Sequence, residues 1–274
     1  MSTVLSTVIS PALSTPCLQP AMTAPSTSHR AAVMAELRRL LPQPAGLHTG
    51  LPFGLAAIDS HLPHGGLACG ALHEVVPQSE SCRAAAFGFI AAIVARLARA
   101  CPFIFVLPSY VERQYGRLSG HGLNALGCDP ARLVVVETAQ RKDTLWAIEE
   151  ALHSAGPQAV AACIDKLDLK LSQRLHLAAL AAGVPLFLLR PAPTLEASAA
   201  ATRWRVDTAK AARDRFGLIA RPCWHLQLER CRNGRPGQWI VEYDHVAYRF
   251  SLAAALADPA LSRRATQTSV RAAG

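Results

Sequence analysis

Five continuous apolar runs, each closed by proline, glycine or a charged residue, set the rhythm of the chain: residues 71–76 (ALHEVV), 103–107 (FIFVL), 132–137 (RLVVVE), 159–164 (AVAACI) and 184–189 (VPLFLL). Runs this short and this apolar read as strands buried on both faces. Between them lie segments of helical character. An Ala-rich stretch follows residue 82, residues 142–154 set Leu145, Trp146, Ile148 and Leu152 against Glu149, and residues 169–182 are closed by Gly183. Strands alternating with helices predict βαβ units, hence an α/β fold with a mainly parallel sheet flanked by helices. Residues 111–126 read as a polar, glycine-punctuated connection.

Beyond Arg190 the pattern changes to alternation. Residues 202–206 (TRWRV), 224–230 and 238–243 alternate polar and apolar positions, and the last two runs surround CRNGRPG, whose Asn-Gly pair is a strong hairpin signal. A C-terminal antiparallel β-hairpin extension is therefore expected to complete the sheet. Upstream, residues 28–41 combine a serine N-cap with Val33, Met34, Leu37, Leu40 and Leu41 at helical spacing, and Pro42 and Pro44 end that helix. Residues 46–70 alternate turn residues with Leu51, Phe53, Leu55, Ile58 and Leu62, as a segment that covers a sheet edge and delivers the first strand. The expected organisation is a disordered tail (1–29), an N-terminal helix and linker (30–45), a core with its hairpin (46–250) and a C-terminal helix and tail (251–274).

With 274 residues, 51% of them hydrophobic, and a mean hydropathy of +0.20, the chain has ample material for a core. No apolar run reaches the ~18 residues of a membrane span, because Arg96 and Arg99 interrupt the longest one. Residues 1–29 lack the basic leader of a secretory signal, so a cytoplasmic protein is expected. The eight cysteines (17, 69, 82, 101, 128, 163, 223 and 231) form no C-x-x-C pair. His73-Glu74 lacks the second histidine of a zinc-protease motif, position 77 being proline, so neither a metal nor another cofactor is expected.

The net charge of +9 favours anionic partners. Between residues 203 and 235, nine Lys/Arg face three Asp/Glu, a local net of +6. Arg203, Trp204, Arg205, Arg230, Arg232, Arg235 and Trp239 make up a candidate surface for single-stranded DNA, in which arginines follow phosphates and indoles stack on bases. The same residues also suit a hairpin with tryptophan core anchors and a solvated arginine rim.

The strand at 71–76, the loop at 77–81 and the helix that follows have the layout of a phosphate-binding P-loop. On the template G-x-x-x-x-G-K-[ST], Pro77 takes the first glycine, Cys82 the second, Arg83 the lysine and Ala84 the hydroxyl residue. All four positions are changed. Pro77 has no amide to donate, Cys82 carries a Cβ where phosphate would approach, and Ala84 has no hydroxyl for magnesium. Glu80 adds a negative charge to the same loop.

The run TGLPFGLAAIDSHLPHGGLACGALHEVV (49–76) resembles the entry to the RecA recombinase core. Within that superfamily the chain most resembles the ImuA family, also labelled SulA-like, through GALHE (70–74), LWAIEEAL (145–152), ATRWRV (201–206) and LERCRNGRPGQW (228–239). The resemblance covers about residues 46–250, and it implies a RecA-like P-loop NTPase fold. It also implies a role in the SOS response to DNA damage, as an adaptor in error-prone translesion synthesis. The implied partners are ImuB together with an error-prone replicative-type polymerase, or RecA itself, at damaged DNA. RecA's catalytic glutamate has no counterpart, because the matching strand ends at Leu107 and Pro108. Asp165 stands where a Walker B acid would, but without a P-loop hydroxyl and cradle the place better suits a helix cap or a surface acid. ATPase activity is therefore not expected. The rival readings are a DNA-dependent ATPase with an unorthodox loop using Arg83 and Asp165, and a SulA-like inhibitor of cell division.

Overall fold

A computed structural model describes residues 50–97, 102–154, 156–211, 216–218 and 221–253; the expected N-terminal tail and helix lie outside these, as does the C-terminal segment beyond 253. In chain order the strands are β1 (Gly50–Leu51), β2 (Leu67–Ala68), β3 (Leu72–Pro77), β4 (Phe103–Pro108), β5 (Leu133–Thr138), β6 (Ala159–Cys163), β7 (Leu186–Leu189), β8 (Thr202–Thr208), β9 (Cys223–Cys231), β10 (Gly237–Asp244) and β11 (Arg249–Leu252). The helices are α1 (Ala56–Asp59), α2 (Arg83–Val94), α3 (Ser109–Tyr115), α4 (Gly120–Ala125), α5 (Arg141–His153) and α6 (Leu169–Ala182). Strands β1 and β2 form a small antiparallel pair. The main sheet has nine strands in the order β11-β10-β9-β8-β3-β7-β6-β4-β5. From β8 to β5 every pairing is parallel, and from β8 to β11 every pairing is antiparallel.

The inner parallel strands β3, β4, β6 and β7 are buried on both faces because helices cover both. On one face α2 lays Ala86, Phe89, Ile90 and Ile93, at helical spacing, over Phe105, Phe187, Trp204 and Trp224. Small alanines elsewhere on α2 let its backbone approach the sheet closely. On the other face α5 and α6 bury Ile148, Leu152, Leu175 and Ala179 against Val106, Val160, Leu186 and Leu188. Asp168 caps α6 by accepting from the Leu171 amide at 2.8 Å, and Gly183 ends it at φ 68°. In the antiparallel half only one face is covered, so Gln238 and Ile240 point to solvent while Val241 and Tyr243 are buried.

Four sequence expectations need correction. The strand at 133–138 is an edge strand, not a buried one: Val134 and Val135 are 47% and 41% exposed, and among the described residues no strand pairs with the outer side of β5. The polar connection at 111–126 holds most of α3 and all of α4. Residues 50–68 close a face and not an edge of the sheet, with the Phe53 ring 5.3 Å from Trp204 and 5.5 Å from Phe250. The hairpin continues into β11, so Ser251 and Leu252 are strand residues. Asp165 is exposed, in keeping with a surface acid, and the helix that follows is capped by Asp168.

A buried ionic cluster joins the three central strands. Glu74 of β3 is fully buried, and its Oε2 accepts from Arg203 Nε of β8 at 2.8 Å and from Ser198 Oγ at 2.9 Å. Arg190, just past β7, brings its Nε within 3.6 Å of Glu74 Oε1 and donates from Nη1 to the Ile164 carbonyl at 3.2 Å. Removing one partner of such a cluster leaves an uncompensated charge in the core, a loss of ~3–5 kcal/mol.

Candidate functional site

The carboxyl ends of β3, β4, β6 and β7 face the same way, and there the loop from β3 leads into α2. The loop closes on itself. The Gln78 amide donates to Val206 O at 2.8 Å, the Cys82 amide to Ser79 O at 3.0 Å, and the Arg83 amide to Glu80 O. Residues 80–82 thus form a 3-10 turn, and three of the amides along this stretch, those of Gln78, Cys82 and Arg83, are committed to carbonyls. Side chains tighten the turn further: Ser79 and Ser81 share a hydrogen bond of 2.7 Å, and the Cys82 thiol donates to Asp207 Oδ1 at 3.0 Å.

A carboxylate of the loop itself stands beside Arg83. The Glu80 carboxylate accepts from the Ala192 amide at 3.0 Å and the Tyr115 hydroxyl at 2.8 Å, and Arg83 Nη1 lies 3.5 Å away. Burial pushes the Glu80 carboxyl upward, but these donors outweigh it and hold the group below the ordinary glutamate range. Of the four template positions, Pro77 ends β3, Cys82 and Arg83 are buried, and Ala84 is exposed on the first turn of α2. Asp165 is exposed at the end of β6 and accepts from the Tyr110 hydroxyl, whose own pKa is raised by burial and then by that carboxylate. Glu80 was legible as a loop charge. Tyr110 and Tyr115 were not, because only the tertiary fold brings α3 over the loop.

Beside the loop opens a cavity of about 430 Å³ between α2, the end of β4 and the short helices α3 and α4. Its walls are mostly apolar, and Arg83 and Cys163 line it. Burial pushes the Cys163 thiol up to about 11, so it stays neutral beside the guanidinium.

The expected DNA-facing residues separate into two groups. Trp204 is 1% exposed, within ring contact of Phe53, Phe89 and Trp239, and Arg203 is 9% exposed and committed to Glu74. Neither can reach a ligand, because strand alternation turns one into the aromatic core and the other into the ionic cluster. Arg205 is half-buried and paired with Glu229, and Trp239 is half-buried with its ring 5.0 Å from His61. Arg230, Arg232 and Arg235 remain exposed near the hairpin turn, each holding a backbone carbonyl: Ser198 O at 2.6 Å, Ala199 O at 3.2 Å and Ser60 O at 3.3 Å. Among the described residues no group of three or more His, Cys, Asp or Glu could hold a metal ion, and no helix is long and apolar enough to cross a membrane.

No family profile matches the chain. Over 234 residues it is 33% identical to Protein ImuA from each of two strains of Caulobacter vibrioides, an alignment that covers 78% of this chain and 94% of that protein.

Proposed function

The chain belongs to the ImuA family, and from that membership we propose that it is a non-catalytic, RecA-like accessory protein that acts as an adaptor in error-prone translesion DNA synthesis. The family name supports a place in damage-induced mutagenesis. A RecA-like reading of the fold draws support from the central position of β3, with its loop and α2, in a mainly parallel sheet completed by antiparallel strands. The observation that carries the non-catalytic part is the closed loop. The Gln78, Cys82 and Arg83 amides are bonded to carbonyls and the Glu80 carboxylate is held beside Arg83, so a triphosphate would have to displace the protein's own hydrogen bonds and meet a fixed negative charge.

Without nucleotide-driven switching, such a body works by binding. ImuB and an error-prone replicative-type polymerase are the proposed partners, together with RecA at damaged single strands in the cytoplasm. Deleting the gene should abolish damage-induced mutagenesis in the host, and restoring it should return the mutants. Unchanged mutagenesis together with filamentation on overproduction would sink the adaptor and favour the division-inhibitor reading.

A further inference from the structure

Arg83 is only 5% exposed, yet two of its three nitrogens, Nε and Nη2, have no hydrogen-bond partner. Those two form the side edge of the guanidinium, the fork that binds a carboxylate through two parallel bonds. The third, Nη1, faces Glu80 at 3.5 Å. A buried donor left without an acceptor is costly, which marks the fork as a place where an acceptor belongs. Cys163 stands beside the guanidinium, which by charge and by a hydrogen bond pulls its thiol pKa down against the effect of burial, but a neutral thiol is only a weak acceptor and does not supply the oxygen pair the fork takes. Arg83 lines the cavity of about 430 Å³, a volume within the usual range for small-molecule sites. The remainder of the wall is chiefly apolar, with Phe87, Leu107, Val111, Leu118 and Leu126 around the space.

We propose that this cavity binds a small amphiphilic monoacid, with its carboxylate on the Nε–Nη2 edge of Arg83 and its apolar body between α2, α3 and α4. The charge pattern selects against polyphosphates. Glu112 and Glu137 also line the space, Glu112 holds Arg117 at 2.9 Å, and Glu80 already shares the Arg83 charge. One planar head on a greasy body fits such a lining, and a chain of phosphates does not. Tyr115 covers the guanidinium from 5.0 Å and is itself 42% exposed. Binding at the fork requires that ring, which Glu80 holds through its hydroxyl, to turn aside. The site is independent of the adaptor reading: either can fail alone.

The test uses the full chain, labelled with nitrogen-15. It is titrated with a panel of arylalkanoic and branched aliphatic acids such as 3-phenylpropanoate and 4-methylpentanoate, each paired with its neutral carboxamide, and with N-acetylated peptides ending in Phe or Leu. Acids should move the amides of residues 83–88 and 109–126, with carboxamides bound ~10-fold more weakly, as expected for loss of a charge-assisted pair. Arg83→Lys keeps the charge but loses the fork and should cost a similar factor. Ala84→Leu, on an exposed position of α2 that lines the cavity, should block binding without unfolding the protein. Preference for the free acids over the peptides, or the reverse, tells whether the carboxylate comes from a metabolite or a chain end. Silence across the panel overturns the proposal, as does equal binding of acid and amide, insensitivity to Arg83→Lys, or displacement of the acids by ATP.

Discussion

His73 shows how much one side chain can tie together at the centre of the sheet. It is fully buried, its Nε2 donates to the Ala68 carbonyl at 2.9 Å, and its Nδ1 accepts from Thr202 Oγ1 at 2.8 Å. Thr202 Oγ1 in turn accepts from Trp204 Nε1 at 3.0 Å, so the relay fixes one tautomer of the imidazole. Burial lowers its pKa from 6.5 to about 4, which means that the folded protein holds it neutral while the unfolded chain protonates it below pH 6.5. Stability should therefore fall as the pH drops from about 6.5 to about 4, with a contribution from this group of up to ~3 kcal/mol. Urea denaturation of wild type and His73→Gln across that range checks it. The variant should be less stable at neutral pH but lose less on acidification, and parallel curves would refute the assignment. At this scale the sequence was only partly legible. His73-Glu74 could be cleared of zinc chemistry from spacing alone, whereas the side-chain partners of both, Thr202, Arg190 and Arg203, lie more than a hundred residues away.

Elements were read more reliably than the surfaces they present. Apolar continuity located the parallel strands and the 3.6-residue period located α5 and α6, because burial on two faces or on one stripe writes itself into the local sequence. Strand order does not write itself there: nothing in 132–137 marks β5 as an edge, and its apolar run looks like those of its buried neighbours. The hairpin was legible because Asn233 accepts the left-handed conformation that the turn demands, with φ 62°. The next residue, Gly234, is there for a different reason. A Cβ at that position would stand 2.3 Å from the His61 carbonyl oxygen and 2.4 Å from Cys231 Sγ, because the turn is packed against the segment before β2. The Arg235 amide bonds to the same carbonyl at 2.9 Å. Gly234→Ala should destabilise the protein by ~1–3 kcal/mol and lower its melting temperature by roughly 3–10 °C. Gly156→Ala, where an added Cβ meets only Ser154 at ordinary contact distance, should leave the melt unchanged. Equal melts for the two variants would show that the hairpin can move away from His61 at no cost.

For the molecule as a whole, the net charge of +9 and the exposed arginines near the hairpin turn predict attraction to nucleic acid governed by ionic strength. Titrating single-stranded DNA across a salt series should give affinities that fall as salt rises and do not depend on ATP and magnesium. Replacing Arg232 and Arg235 together by alanine should reduce the salt slope by roughly 1–2. A requirement for ATP would overturn the closed-loop reading and return the chain to the switching ATPases. Charge was visible in the composition, but its arrangement was not: of the seven residues the sequence nominated, Arg203 and Trp204 serve the interior. The order of the nine strands bears on synthesis as well. His73 on β3 pairs with Phe187 on one side and Thr202 on the other, so both neighbours of the central strand are translated more than a hundred residues after it. At bacterial elongation rates that is a wait of about 6–25 s in which a bare apolar strand leaves the ribosome with nothing to pair with. Yield in the cell should accordingly be limited by shielding of this nascent segment, and production should respond to chaperone supply and slower growth more than to changes in finished stability.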